Sequence, residues 1–176
     1  MGKSLFSFFS ALVLFLPQLA FADNIGGTIS TNITLNLAGS PYTVTSSLTI
    51  NSGVKLTINS GVILKFDAGV SMTVNGRVDA TNVTFTSSAA SPTNGVWGNL
   101  NFGSGSNTDT SFFTGCTLQW ASNLYIQNFY TVRLNGCTVS KFSGNPFYIN
   151  TGGSAFLNNT GIANCNGNIY LPGGKL

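Results

Sequence analysis

The chain has 176 residues, which is the length of one domain. Only 6% of the residues are charged, and the four acidic residues are all Asp, with no Glu and no His. This composition is not typical of a helical protein, and without His the chain has no imidazole base and lacks the commonest metal ligand. The net charge of only +3 predicts no nucleic-acid partner.

The first 22 residues have the organisation of an export signal. Lys3 precedes an apolar run over residues 5–16, and an Ala-Phe-Ala sequence ending at Ala22 matches a small-x-small cleavage site. The run is shorter than the ~20 residues that cross a bilayer, so a membrane anchor is the less favoured alternative. The sequence therefore predicts a signal peptide over 1–22, a secreted or cell-surface location, and no membrane span after cleavage.

Residues 23–45 are predicted to form an N-terminal cap, and residues 46–176 a repeat of short strands. Apolar-polar-apolar units recur every eight residues in the first part of the repeat, at 48–50, 56–58, 64–66 and 72–74. This alternation is typical of strands and lacks the 3.6-residue period of an amphipathic helix. Strands this short cannot be stable alone, so the period predicts a stacked array.

A longer period emerges further along the chain. The triplets at 124–126, 147–149 and 169–171 start 23 and 22 residues apart, and two further strand-like triplets lie in each interval. One repeat therefore holds three strands, as in one coil of a triangular parallel β-solenoid. The second and third strands of a coil are separated by two-residue corners rich in Asn and Gly, and stacked Asn82, Asn135 and Asn158 could form a hydrogen-bonded ladder.

Three strands per coil, a tight Asn corner and a variable long loop resemble the right-handed parallel β-helix proteins of the pectin-lyase-like superfamily. Residues 40–102 are similar to the N-terminal portion of secreted bacterial surface β-helix proteins. The matching sequences are Ser40-Pro41-Tyr42, Leu48-Thr49-Ile50, Gly61-Val62, Val74-Asn75-Gly76, Phe85-Thr86-Ser87 and Trp97-Gly98. The resemblance implies an all-β right-handed solenoid and says little about chemistry.

That layout implies about five coils, roughly 25 Å in height. First strands are expected at 48–50, 72–74, 100–102, 124–126, 147–149 and 169–171. Second strands are expected at 56–58, 78–80, 111–113, 132–134 and 155–157, and third strands at 64–66, 83–85, 116–118, 137–139 and 160–162. No C-terminal cap is apparent after 171, which predicts an open edge at which another protein chain could bind.

The inward and outward positions of the first strands can be assigned from the alternation. Inward side chains are expected at Leu124, Ile126, Phe147, Ile149, Ile169 and Leu171. Outward side chains would include Asn101, Tyr125, Tyr148 and Tyr170, which would form one column. Flat aromatic rings can contact the apolar faces of sugars, so these four are candidate glycan-contact residues. The alternative is that Tyr simply favours strands and shields the sheet.

Catalytic and metal sites are not apparent. Asp79 and Arg133 fall on second strands, with one coil between them. Asp67 and Asp109 fall in turns. Calcium takes six to eight oxygens and glycoside hydrolysis takes paired carboxylates. The sequence therefore predicts no catalytic residue, no metal and no cofactor, and favours a non-enzyme.

The three cysteines do not have the spacing of a metal site. Cys116 and Cys137 are predicted to stack inward in neighbouring coils, within reach of a disulfide. A pair of buried thiols is an equally good interpretation. Cys165 does not fit that column.

Three functions remain open from the sequence. The favoured one is a secreted or cell-surface β-helix that acts in adhesion, surface display or glycan contact without catalysis. The alternatives are the N-terminal part of a polysaccharide lyase or glycoside hydrolase, and an assembly module that stacks through its open C-terminal edge. The expected partners are therefore a polysaccharide or another protein chain.

Overall fold

The computed structural model describes residues 23–103, 109–127 and 129–176, so the predicted signal peptide over 1–22 lies outside the described residues. Within these ranges the chain is an all-β parallel solenoid of about six turns. Each turn contributes up to three strands, which we call first-, second- and third-position strands in chain order. All the paired strands run parallel, which confirms the predicted fold.

The strands occupy the three positions in strict succession. The first-position strands are β1 (Asn24–Ile29), the C-terminal part of β3 (Tyr42–Ile50), β6 (Met72–Val74), β9 (Leu100–Phe102), β12 (Leu124–Ile126), β15 (Phe147–Ile149) and β18 (Ile169–Tyr170). The second-position strands are β2 (Ile33–Leu35), β4 (Lys55–Ile58), β7 (Arg77–Thr81), β10 (Thr110–Thr114), β13 (Thr131–Asn135) and β16 (Ser154–Asn158). The third-position strands are the N-terminal part of β3, β5 (Ile63–Phe66), β8 (Thr84–Ser87), β11 (Thr117–Gln119), β14 (Thr138–Ser140) and β17 (Gly161–Ala163).

Two sheets result from this stacking. The second-position strands form a six-stranded sheet in the order β16-β13-β10-β7-β4-β2. The first- and third-position strands form a twelve-stranded sheet, because the long strand β3 belongs to both rows: residues 42–44 pair with β5 and residues 48–50 pair with β6. A 3-10 helix, Leu37–Gly39, lies between β2 and β3.

Each of the sixteen predicted strands overlaps an observed one, but two details of the prediction are wrong. The solenoid has about six turns instead of five, because β1, β2 and the start of β3 add a turn within the segment 23–45 that was predicted to be a cap. Four of the five third-position strands begin one residue later than predicted. Cys116 and Cys137 belong to the corners and not to the strands.

The corners between second and third positions explain this shift. Two residues before each of these four strands, the backbone has a positive φ: Asn82 at 50°, Gly115 at 63°, Gly136 at 64° and Asn159 at 47°. Only Gly and Asn adopt this left-handed conformation readily, which is why these corners are rich in both. The next residue, such as Cys116, completes the change of chain direction, and strand pairing with the neighbouring turn resumes after it.

The predicted Asn ladder forms in part. Asn158 Nδ2 donates to Asn135 Oδ1 at 2.8 Å, and an equivalent bond at 2.7 Å joins Asn59 Nδ2 to Asn36 Oδ1. Asn82 was wrongly assigned to this ladder. It occupies the following, left-handed position of its corner, and its Nδ2 donates to Ser60 Oγ at 3.2 Å.

The core fills the inside of the solenoid with the inward side chains of all three rows. Leu124, Ile126, Phe147 and Ile149 are fully buried, as predicted. Ile169 and Leu171 are not: they are 38% and 41% exposed. Strand β18 is the last of its row, so the side chains that were predicted to point inward there are covered from one side only and are not part of the buried core.

The connection after β8 packs along the side of the solenoid across several turns. Asn94 Nδ2 donates to the carbonyl oxygen of Asn164 at 3.1 Å, and Ser122 Oγ donates to the carbonyl oxygen of Gly95 at 3.2 Å. Trp97 then enters the core, where it is completely buried and bridges to Ala121 of the following turn. This connection therefore ties together turns that are not neighbours in the stack. None of the described residues belongs to a helix long and apolar enough to cross a membrane.

Candidate functional site

The outward residues of the first-position strands form one continuous column. Strand register places them one above another, in the order Thr28, Thr49, Thr73, Asn101, Tyr125, Tyr148 and Tyr170. Thr49, Thr73, Asn101, Tyr125 and Tyr148 each lie between two buried residues of their own strand, as the apolar-polar-apolar pattern requires. The four glycan-contact candidates are therefore consecutive members of one column.

The three tyrosines pack ring against ring. The ring centroids of Tyr125 and Tyr148 are 5.2 Å apart, and those of Tyr148 and Tyr170 are 4.9 Å apart, with interplanar angles of 55° and 50°. Tyr170 is 50% exposed, whereas the other two are half-buried. Rings in tilted contact stabilise one another and still present part of each face to solvent. The result is an aromatic strip on an otherwise hydroxyl-rich face.

Asn101 continues the strip with a polar group. Its Nδ2 donates to Thr73 Oγ1 at 3.5 Å, and its backbone is in register with Tyr125. An amide beside an aromatic ring can hydrogen-bond a hydroxyl of a ligand whose apolar face rests on the ring. The column contains no carboxylate and no cation, so it offers contact and not acid-base chemistry.

Two of the four acidic residues have partners away from this column. Asp79 accepts two hydrogen bonds of 2.7 Å from Arg77, and Asp67 accepts one from Ser88 Oγ at 2.5 Å. The Asp79 contacts raise the pKa of Arg77. In the part of the chain that the structure describes, no three side chains of the His, Cys, Asp or Glu types come together as a metal site.

A second outward column, on the second-position sheet, escaped the sequence analysis. Register stacks Asp79, Phe112, Arg133 and Phe156 in that order, so Phe112 separates the aspartate from the arginine. Arg133 Cζ lies over the Phe156 ring at 4.1 Å from its centroid, and Arg77 Cζ lies 4.9 Å from the centroid of Phe112. The sequence contained a signal for this column, because Phe112 and Phe156 occupy the outward positions of their predicted strands.

The inward thiols lie in neighbouring turns. Cys116 and Cys137 are buried and free, and each Sγ contacts a backbone carbonyl of the preceding turn, Ala80 at 3.5 Å and Phe113 at 3.4 Å. A hydrogen bond between the two thiols lowers the pKa of Cys137 to about 7 and raises that of Cys116, because the first thiolate is stabilised and a second would sit beside it. The disulfide stays a prediction.

Thiol counting tests this pair. In the folded chain, kept without reductant at pH 8, we expect only the half-buried Cys165 to react rapidly with Ellman's reagent, because the other two are shielded from solvent. After unfolding, three thiols should react. A count of one after unfolding would show instead that Cys116 and Cys137 are joined, and Cys165→Ser provides the control that removes the rapid phase.

Comparisons with protein-family models, with curated proteins and with solved structures give no match to this chain. The parallel β-solenoid is therefore established by the strand register alone, and the candidate site by the side chains that this register brings together.

Proposed function

We propose that this chain is an exported, non-catalytic β-helix protein of the right-handed, pectin-lyase-like type that contacts glycans at a cell surface. The observation that carries the proposal is the column of Tyr125, Tyr148 and Tyr170, with Asn101 next in line. The signal-like residues 1–22 support export. Adhesion and surface display are roles that use glycan contact and need no catalysis.

The size of the strip suits an oligosaccharide. Three rings on successive turns extend over two turn heights, ~10 Å, which is about the length of two linked sugar rings. Each tyrosine offers an apolar face for the C–H groups of a sugar and a hydroxyl for hydrogen bonding. Thr73 and Asn101 supply further polar groups along the same line.

The distribution of carboxylates supports a non-catalytic role. Hydrolysis of a glycosidic bond commonly uses two carboxylates, one of them protonated, on either side of the bond. Asp79 is held by Arg77 on a different sheet from the tyrosines, and Asp67 lies at the end of a third-position strand. The alternatives, a segment of a lyase or hydrolase and pairing of another chain at the edge formed by β16, β17 and β18, stay predictions.

Replacing all three tyrosines by Ala should weaken glycan binding by at least about tenfold, since each ring contributes about 1 kcal/mol of contact. The measurement is isothermal titration of the purified chain, expressed from its full sequence, against neutral and acidic oligosaccharides. The corresponding triple Tyr→Phe variant keeps the rings and should retain most of the affinity. A Thr28→Ala/Thr49→Ala variant alters the same column at its other end, away from the tyrosines and Asn101, and should bind normally.

Two outcomes would contradict the proposal. Equal binding by the Tyr→Ala variant and the parent chain would remove the aromatic strip as the contact surface. Release of unsaturated sugar products by the parent chain, lost on Asp79→Asn, would show that the chain is a lyase.

A further inference from the structure

The outward face of the second-position sheet exposes aromatic rings beside an arginine. Phe112 is 38% exposed and Phe156 is 49% exposed, whereas Phe is normally buried. Arg133 lies between them in the second outward column and is itself exposed. Aromatic rings and arginine are the side chains most enriched where one protein surface packs on another. The composition of this face therefore favours a protein surface as its partner.

Strand register makes the face a regular array of three rows across β4, β7, β10, β13 and β16. The central row is Thr57, Asp79, Phe112, Arg133 and Phe156. The row towards the start of the strands is Lys55, Arg77, Thr110, Thr131 and Ser154. The row towards their end is Thr81, Thr114, Asn135 and Asn158. The charged groups thus occupy fixed places on a repeating surface.

The charges of the central row are arranged symmetrically about Phe112. Asp79 lies one strand before this ring, and Arg133 lies one strand after it. Suppose that a second copy packs on this face with the opposite strand order, so that the two Phe112 rings meet. Asp79 of each copy then lies opposite Arg133 of the other. This arrangement has twofold symmetry, in which both copies use the same surface.

The flanking row is compatible with the same arrangement. The reversed strand order places Arg77 opposite Thr131, and Lys55 opposite Ser154, so within the three rows no charge faces another of its own sign. Two copies with the same strand order would instead bring Arg133 against Arg133 and Asp79 against Asp79, and these like charges repel. The charge pattern therefore selects the antiparallel arrangement.

Asp79 can accept from a second arginine without losing the first. Its two oxygens each accept one hydrogen bond of 2.7 Å from Arg77, and each carboxylate oxygen has a further acceptor position. Arg133 places the planar face of its guanidinium over the Phe156 ring, 4.1 Å from the centroid, which leaves the N–H groups of its edge available. The contact between copies needs neither of these interactions to break.

We propose that two copies of this chain associate through the second-position sheet as an antiparallel dimer centred on Phe112, with two Asp79–Arg133 ion pairs between the copies. Five stacked strands of about five residues cover about 24 Å by 17 Å, or about 400 Å² in each copy. An interface of this size is small, so the dimer is expected to be weak, with a Kd of about 10–100 µM. The tyrosine strip lies on the other sheet, so this inference does not depend on glycan contact.

Sedimentation equilibrium of the protein expressed from its full sequence, at about 1–300 µM, measures the dimer. Arg133→Glu should weaken it by at least about tenfold, because the new carboxylate faces Asp79 of the other copy. Asp79→Arg should weaken it similarly, for the converse reason. An equimolar mixture of these two variants should dimerise again, because every opposed pair in the mixed dimer joins opposite charges. Phe112→Thr should also weaken the parent dimer about tenfold, since it removes a ring from both copies at the centre.

Lys65→Glu is the matched control, because it makes the same charge change on a third-position strand and should leave the dimer unchanged. A parent chain that stays monomeric over the whole concentration range would overturn the proposal. Equal weakening by Lys65→Glu and Arg133→Glu would overturn it as well, by showing a response to net charge only. So would a mixture of the two charge variants that fails to dimerise although circular dichroism shows both solenoids intact. Oligomers that grow beyond the dimer and are insensitive to these changes would place the association at the edge formed by β16, β17 and β18 instead.

Discussion

Replacing Phe147 by Ala should lower the free energy of unfolding by about 3–5 kcal/mol, whereas replacing the adjacent Tyr148 by Ala should lower it by less than about 2 kcal/mol. Phe147 is fully buried in the core, next to Leu124 of the preceding turn. Removing its ring leaves a cavity that the stacked turns cannot close without disturbing their strand register. Tyr148 is half-buried and loses only its contacts with the rings of Tyr125 and Tyr170.

Urea unfolding of the two variants, followed by far-ultraviolet circular dichroism, measures this difference. The comparison is well matched, because the two residues are neighbours in one strand and both carry an aromatic ring. If Tyr148→Ala were as destabilising as Phe147→Ala, the strand would face the other way, since a one-residue slip exchanges the two faces. The tyrosine strip would then lie in the core and could not contact a glycan.

The strand positions could be predicted because a solenoid repeats its local pattern. Apolar-polar-apolar triplets separated by Asn and Gly corners are a property of each turn by itself, so no knowledge of distant parts of the chain is needed. The same pattern predicts which side chains face outward. The tyrosine strip follows directly, because Tyr125, Tyr148 and Tyr170 occur at nearly constant spacing.

The second outward column was missed although the expected second strands already aligned its residues, because the spacing between its turns is uneven and no repeated residue type marks it. Asp79 and Phe112 are neighbours in the sheet although 33 residues separate them, whereas Phe112 and Arg133 are separated by 21. The long connection after β8 accounts for the difference. The predicted strands already placed Asp79 beside Phe112, whereas the cation–ring contacts depend on side-chain conformations that a strand pattern does not show.

Other errors have a local physical cause. Four third-position strands begin one residue later than predicted, because a residue with left-handed backbone angles and the residue after it are both needed to turn the chain. An alternation of apolar and polar residues does not show this requirement. Ile169 and Leu171 were assigned to the core from their alternation. Alternation shows the direction of a side chain, and burial also needs a neighbouring turn to cover it.

Trp97 gives the second large expected effect. Its ring is completely buried and stacks on Phe66, with centroids 4.3 Å apart and planes at 13°, and its Nε1 donates to the Gln119 carbonyl oxygen at 2.8 Å. Trp97→Ala should therefore lower the free energy of unfolding by about 3–5 kcal/mol. Trp97→Phe keeps an aromatic ring for stacking but leaves that carbonyl without its donor, so a smaller loss of about 1–3 kcal/mol is expected.

Trp120 provides the matched control, because it is the second tryptophan and lies nearby in the fold. It is half-buried and makes its ring contact with Lys141, whose Nζ lies 4.1 Å from the ring centroid. Trp120→Ala should cost less, about 1–2 kcal/mol, because its ring is only partly buried against the core and its cation–ring contact is weak. Urea titration of the three variants, followed by circular dichroism, ranks them. Similar losses for Trp97→Ala and Trp120→Ala would contradict the idea that Trp97 anchors the long connection in the core, because the two variants differ mainly in burial.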